Sequence, residues 1–599
     1  MPTSTSLSSR RGHATRAGAR AGAIGLAGAL ALAAAVPAAA QDTTRTPADT
    51  LAAAADTSRR LPLWNCDALP VTQVDFIRQP PNVIRSAPRW SRPFLRALLY
   101  GAPTRERAVE PFLLVRGADC SEIERAESER VLRAQPYLAD ASVRTLPDSQ
   151  GARVEVRTVD DVRPIAGLRT SGGGVSLLKF GSANVAGYGV RAFGQWERGF
   201  ALRDGYTFQV EDYAFVGRPV RTAVNLERDP LGSDYWMRAT RPFYTEFQSF
   251  AWHADARNAE QYVNFLRPDR SRALLGVERR QADVGGVWRV GNRRQRLLGG
   301  ALVSFERREA DEAAVLNTSS GLVTDTATLF RDRYRTASTT RLGAVLGMRA
   351  LSFVKVRGFD AIEGAQDVAR GVQFSTIVGR ALGGGEDGPF GTGDLYAGAG
   401  NERMFVGVRT LVEGYRFGGE WENVVASGRL AWYSRPARRE TRMVSVEYAG
   451  AWRAEVPYQL TLGDKRAGVR GYDDGNAAGG RRLVVRGEER VLLPGIREYL
   501  ALGGAAFAVV GKVWAGDVPY GRTTSARASV GLGLLAAVPR NSRRIARLDL
   551  AVPLTRAGGV DSYEVRFTMT TAGRTFWRDP GDLSVARLSA PLANIFFGP

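Results

Sequence analysis

Apolar and polar residues alternate with period two over long stretches of this chain. Tyr206, Phe208 and Val210 alternate with Thr207, Gln209 and Glu211; near the other end Tyr563, Val565, Phe567 and Met569 alternate with Glu564, Arg566, Thr568 and Thr570. Successive strand residues point to opposite faces, so the pattern predicts strands with one apolar and one charged face. It runs, punctuated by glycine, from about Pro164 to Trp577. In water such strands would expose a wide apolar wall. A closed barrel in a membrane instead puts the apolar face on lipid and the polar face in a lumen. Closure also satisfies every backbone group there. A soluble β-sandwich or propeller is the competing architecture.

The pattern differs upstream. Residues 61–163 read as a small α+β domain. Val71 to Ile77 is a candidate strand, and Asp119 to Gln135 a helix stopped by Pro136, with Ser121 and Glu124 as a capping box and Ile123, Ala126 and Leu132 at helical spacing. Two strands follow, Ala141 to Leu146 and Ala152 to Val159, joined by a turn at Asp148 to Gly151. Residues 41–60, rich in Thr, Ala and Asp without periodicity, read as a flexible linker. Residues 1–40 carry Arg10, Arg11, Arg16 and Arg20, an alanine-leucine run from Ala21 to Val36, and Ala38-Ala39-Ala40. That is the layout of a cleaved secretory signal. The alternative, a transmembrane anchor, needs a run of roughly 20 residues. Beyond Ala40 no apolar run has the length of a membrane helix.

Composition narrows the function. The net charge is +21, and with four arginines assigned to the signal the remainder keeps +17. Nucleic-acid binding is one reading of such a balance. The arginines are spread along alternating strands, which suits a polar lumen and rims facing anionic lipid better. Cys66 and Cys120 are the only cysteines, and in an oxidising compartment a disulfide is expected, with two unpaired buried thiols as the alternative. The two histidines, His13 and His253, leave almost no material for histidine metal sites or triads. The adjacent acids Glu488 and Glu489 point to opposite faces of a strand and cannot flank one bond. There is no phosphate-binding Gly-Lys-Ser/Thr loop and no Gly-x-Ser-x-Gly elbow, so a non-enzymatic protein without cofactor or metal is expected.

One motif is more specific. Gly468-Val469-Arg470-Gly471-Tyr472 lies in a loop-like stretch, Gly463 to Gly480, between the candidate strands Met443 to Trp452 and Leu483 to Pro494. It resembles the sixth extracellular loop of the BamA/TamA superfamily of outer-membrane barrels, the bacterial surface antigen family, whose Val-Arg-Gly-Phe/Tyr tip folds back into the lumen. The strands after it resemble the same family, through Phe507 to Trp514, Ala528 to Leu534, Ile545 to Leu554 and the aromatic-ended Tyr563 to Trp577. The α+β domain, with Pro111 to Asp119, the helix, Tyr137 and the hairpin, resembles a POTRA module. Gln79 to Glu110, broken by five prolines, departs from that pattern.

The resemblance implies a mainly β transmembrane antiparallel barrel of sixteen strands at 164–577, about 26 residues for each strand and its connection. One N-terminal α+β POTRA-like domain precedes it in the periplasm. Residues 578–599 are left as a tail, expected to tuck into the lumen or extend into the periplasm. The resemblance also implies that Arg470 points inward to acids on neighbouring strands. Glu488 matches the first partner, with Glu489 as a substitute, although Pro494 comes two positions late. Val509 stands where the family has an aspartate, so one carboxylate is expected instead of two.

The implied function is insertion or translocation of unfolded β-rich client polypeptides at the outer membrane, without nucleotide hydrolysis. Outer-membrane lipid and lipopolysaccharide surround it, periplasmic chaperones or accessory proteins are candidate partners, and nucleic acid is not. Two alternatives stand: a two-partner secretion transporter for one exoprotein, and a passive channel or structural barrel.

Overall fold

The computed structural model describes residues 66–571 and 581–587, apart from 116–118, 172–173, 200–201, 292–295, 319–320, 326–329, 331–332, 385, 464–467, 473–476, 497–498, 556–562 and 585. The signal and linker assignments lie outside the described residues, as do Gly573 to Trp577.

The period-two segments close into one antiparallel barrel. Tyr206, Phe208, Val565, Phe567 and Met569 stand exposed on its outer face. The inner face is charged and paired: Glu306 lies 2.8 Å from Arg279 in an ion pair and accepts a hydrogen bond from Arg341 at 2.7 Å, and Arg308 meets Glu386 at 2.9 Å. A closed ring with an apolar exterior and a charged interior is a membrane-spanning β-barrel.

The expected sixteen strands are corrected. The ring runs from Pro164–Ser171 to Glu564–Thr571 through twenty strands, and a hairpin of Val315–Thr318 and Gly321–Thr324 is added beside it. The reason is strand length. Six strands of eight or nine residues, from Pro164–Ser171 to Ser233–Arg241, fit into the first part of the barrel, whereas later ones reach twenty or more, as in Arg272–Gly291 and Ala337–Arg357. The number sixteen comes from the resemblance alone, and this chain departs from it through its short-stranded sector.

The N-terminal domain has a three-stranded sheet in the order β1 (Val71–Gln79), β3 (Gly151–Asp160), β2 (Leu138–Asp148), with β1 parallel and β2 antiparallel to β3. The region of five prolines holds helix α1 (Arg92–Leu99), and α2 (Glu122–Ala134) packs on the sheet. Two local readings are corrected. Ser121 is the N-cap residue of α2 but makes no side-chain cap; the Glu122 amide instead donates to Asp67 at 2.8 Å. The disulfide between Cys66 and Cys120 brings Asp67 there, a cap from across the chain that local spacing cannot reveal. The buried face of α2 is Arg125, Ser128, Val131 and Leu132, while Ile123 and Ala126 are exposed. Polar residues take inner positions because each has a fixed partner: the Leu114 amide donates to Ser128 at 2.8 Å, and Arg125 reaches the Val143 carbonyl.

The domain docks across one end of the barrel. Arg133 grips Asp367 with both ends of its guanidinium, at 2.7 and 3.0 Å, and Arg130 lies 4.0 Å over the Phe353 ring. The Glu246 amide donates to Glu127, Arg543 donates to the Gln135 carbonyl, and Asn184 donates to Thr104. These partners come from turns spread around the ring. At one of them Gly187, with φ +79°, passes so close that a Cβ would lie 2.1 Å from the Pro103 carbonyl oxygen. Burial opposes ionisation of Glu129, but Arg133 and Lys355 outweigh it and hold its carboxyl below the usual range. Arg133→Ala is therefore expected to weaken docking by about 2 kcal/mol, as loss of a charge-assisted bidentate pair does. The check is faster hydrogen exchange in α2 with unchanged exchange in the barrel strands.

Candidate functional site

The loop between the strands Glu440–Trp452 and Arg481–Ile496 folds inward. Val469 is fully buried, and its side chain fills the space above Gly511, where a Cβ would lie 2.4 Å from it. The Gly468 carbonyl accepts from Arg486 at 2.7 Å, and the Gly471 amide donates to Glu564 at 2.7 Å. The Tyr472 hydroxyl lies 3.0 Å from the carbonyl oxygens of Ala528 and Thr555. Thus the tip touches five successive elements of the ring's C-terminal sector, including the last strand, which closes against Pro164–Ser171.

Arg470 sits among acids and other arginines. Its Nη1 is 3.1 Å from Asp549 and 4.0 Å from Glu488, and its guanidinium lies 4.6 Å over Phe507. Glu488 is held more closely by Arg547, at 2.8 Å, and by Arg490; Arg547 also bonds Asp549 at 2.7 Å. The expectation of one carboxylate is corrected: a second acid is present, supplied by Asp549. Val509 is buried and turned inward, two residues from Phe507 on the same face. Strand register explains how Asp549 serves. Glu488 pairs with Phe507, Phe507 with Gly531, and Gly531 with Ala551, so Asp549 sits near the same level two strands beyond Val509. Gly531 keeps the route open, since a Cβ there would meet the Phe507 ring at 2.4 Å. The inward alternation of Arg547 and Asp549 between Leu548 and Leu550 was the available sequence signal. Glu489 is no substitute: it faces outward, 3.2 Å from Arg442, as the strand neighbour of an inward residue must.

The tail enters the same lumen. Asp582 pairs with the buried Arg482 at 2.7 Å, and Leu583 and Ala586 pack, fully buried, with Val425, Ala449, Ala451, Tyr458 and Leu460. Arg587 donates to Ser427 at 2.8 Å, while Arg279, on a different sector of the wall, donates to the Arg587 carbonyl at 2.7 Å. Residues 581–587 therefore bridge separate walls. From the loop, Gln459 reaches the opposite sector, accepting from the Leu266 amide at 2.7 Å, and also donates to the Pro519 carbonyl of its own sector at 3.1 Å. Loop and tail residues thus both cross the lumen between separate parts of the wall. Arg482→Ala would leave Asp582 of the tail buried without its cation, and breaking a buried pair costs about 3–5 kcal/mol. Trypsin cleavage after Arg587 is expected to accelerate at least about tenfold in Arg482→Ala, and to stay unchanged in Ser584→Ala, whose side chain is exposed.

No family model matches the chain, and no curated protein does. Among solved structures, BamA from Haemophilus ducreyi lacking POTRA domains 1–3 aligns at 11% identity over 84% of this chain and 85% of its own, with a TM-score of 0.39. CdiB from Acinetobacter baumannii aligns at 10% identity over 84% of this chain and 74% of its own, with a TM-score of 0.38. CdiB from Escherichia coli aligns at 13% identity over 84% and 76%, with a TM-score of 0.38.

Proposed function

We propose that this barrel inserts or translocates β-rich client polypeptides at the outer membrane, in the manner of the BamA/TamA superfamily. The observation that carries the reading is the inward loop tip, with Arg470 at Asp549 and Glu488 and with Gly471 bonded to Glu564 on the closing strand. A lumenal loop that braces the strands beside the closure gives those strands a defined resting state, from which the seam can open towards the membrane. The N-terminal domain faces the periplasm and offers β1 as a sheet edge, whereas α2 covers the edge of β2 through Arg125 and Glu129 on Val143; an extended client can add to the β1 edge by main-chain hydrogen bonds. Peptide capture at the domain and release at the seam or through the lumen need no nucleotide, metal or cofactor.

A two-partner transporter for one exoprotein is the second reading, which one domain of this type among the described residues permits. The bridging of the lumen by loop and tail weighs against a steadily conducting pore. Depletion of the protein followed by an inventory of outer-membrane proteins separates the three: broad loss of barrels is expected, loss of one exoprotein indicates the transporter, and no change indicates a channel or structural barrel.

A further inference from the structure

Among the described residues before Pro164, large apolar side chains stand exposed at four positions, Trp90, Phe94, Leu98 and Ile123. Three of them are aligned. Trp90, just ahead of α1, and Phe94 and Leu98 within it recur every four residues, so they share one face. They are 84%, 68% and 55% exposed. The opposite face puts Leu95 and Leu99 against Val83, Ile84 and Tyr100. Arg89, Arg92 and Arg96 are exposed along the flanks, and α1 buries none of its residues completely. A row of Trp, Phe and Leu presented to water is costly, and contiguous patches of this kind mark an interaction surface.

The position of α1 identifies what covers it. Its apolar support includes Tyr499, in the barrel turn between Arg481–Ile496 and Leu500–Trp514, and the Tyr499 hydroxyl donates to the Ser86 carbonyl. On the first of these strands Val491, Leu493 and Ile496 are exposed, so the apolar outer face of the barrel continues to this turn. The helix is held at the rim where that lipid-facing surface ends. A short helix there, with aromatic and aliphatic side chains on one face and arginines beside them, has the composition of one lying in the interface. The Arg89 and Arg96 guanidinium groups match the phosphates of the headgroups.

We propose that α1 lies in the near leaflet of the membrane that carries the barrel, with Trp90, Phe94 and Leu98 among the acyl chains and Arg89 and Arg96 at the headgroup phosphates, while Arg92 is tied to the Ala87 and Arg85 carbonyls. The domain is then held to the bilayer as well as to the ring, which fixes the height of its sheet edges above the lipid. The proposal rests on the barrel spanning a membrane and is independent of what the protein does with clients.

The test uses the full chain in phospholipid nanodiscs. Because Cys66 and Cys120 are bonded to each other, one nitroxide can be attached to a single new thiol in Phe94→Cys, in Ser149→Cys as a water reference at the exposed β2–β3 turn, or in Phe567→Cys as a lipid reference on the outer wall. Power saturation with oxygen and with a water-soluble nickel chelate reads the depth. The label at 94 is expected to resemble 567, favouring oxygen over nickel several-fold more than 149 does. Resemblance to 149, or shielding from both reagents by protein, overturns the proposal while 567 still reports lipid. If 567 itself reports water, the barrel reading fails instead. A photoreactive benzoyl-phenylalanine at 94 keeps the aromatic shape and gives an independent result: lipid adducts are expected, and adducts confined to protein contradict the proposal.

Discussion

Glu488→Ala is expected to destabilise the loop-bearing sector of the barrel by about 3–5 kcal/mol, the cost of breaking a buried ion pair by removing one partner. The large effect follows from how many cations share this carboxylate. Arg547 and Arg490 bond it directly and Arg470 approaches it at 4.0 Å, so its loss leaves three inward arginines with Asp549 as the nearby acid. Asp549→Asn separates the loop from the wall. It keeps shape and volume but removes the charge nearest Arg470, so the tip should loosen while most of the barrel's stability remains. Protease access at Gly463–Gly480, together with heat-modified gel mobility, distinguishes the outcomes: increased cleavage in both variants, and lowered thermal stability mainly in Glu488→Ala. The double variant should cost less than the sum of the singles, because the acids share Arg547 and Arg470.

The second large effect concerns the N-terminal domain. Replacing Cys66 and Cys120 by serine reopens a loop of 54 residues, which in the chain-entropy model removes about 3–5 kcal/mol. It also frees Asp67 from its place at the start of α2, and loss of a helix cap typically costs about a further 1 kcal/mol. Since α2 carries Arg130 and Arg133, the loss should pass into docking. Thermal unfolding of the double variant is expected to show an early transition confined to the domain, with the barrel transition unmoved. A single transition at the native temperature would contradict this.

Much of the fold was legible because period-two alternation reports which face of each strand meets lipid, as at Val565, Phe567 and Met569. The strand number was not, because sixteen rests on the resemblance alone, and the short strands before Arg241 depart from it. The loop motif was legible because Val469, Arg470 and Tyr472 are adjacent in sequence. Its second acid was not, because Asp549 reaches Arg470 only through the register of four strands, and a Val at 509 directed attention to a vacancy that the barrel's curvature fills. The helix cap failed for the same reason: Ser121 is local and Asp67 arrives through a disulfide. The tail's lumenal partner, Arg482, has no sequence signal beyond its inward place in an alternating strand.

The proposed activity, faster entry of β-rich chains into a membrane, can be measured in a purified system. The most direct measurement adds a urea-denatured outer-membrane barrel to liposomes carrying the purified full-length protein and follows heat-modifiable folding on gels. Folding is expected to be at least several-fold faster than in protein-free liposomes, with the gain reduced in Asp549→Asn. Equal rates with and without the protein, in liposomes where its domain faces the added client, would contradict it.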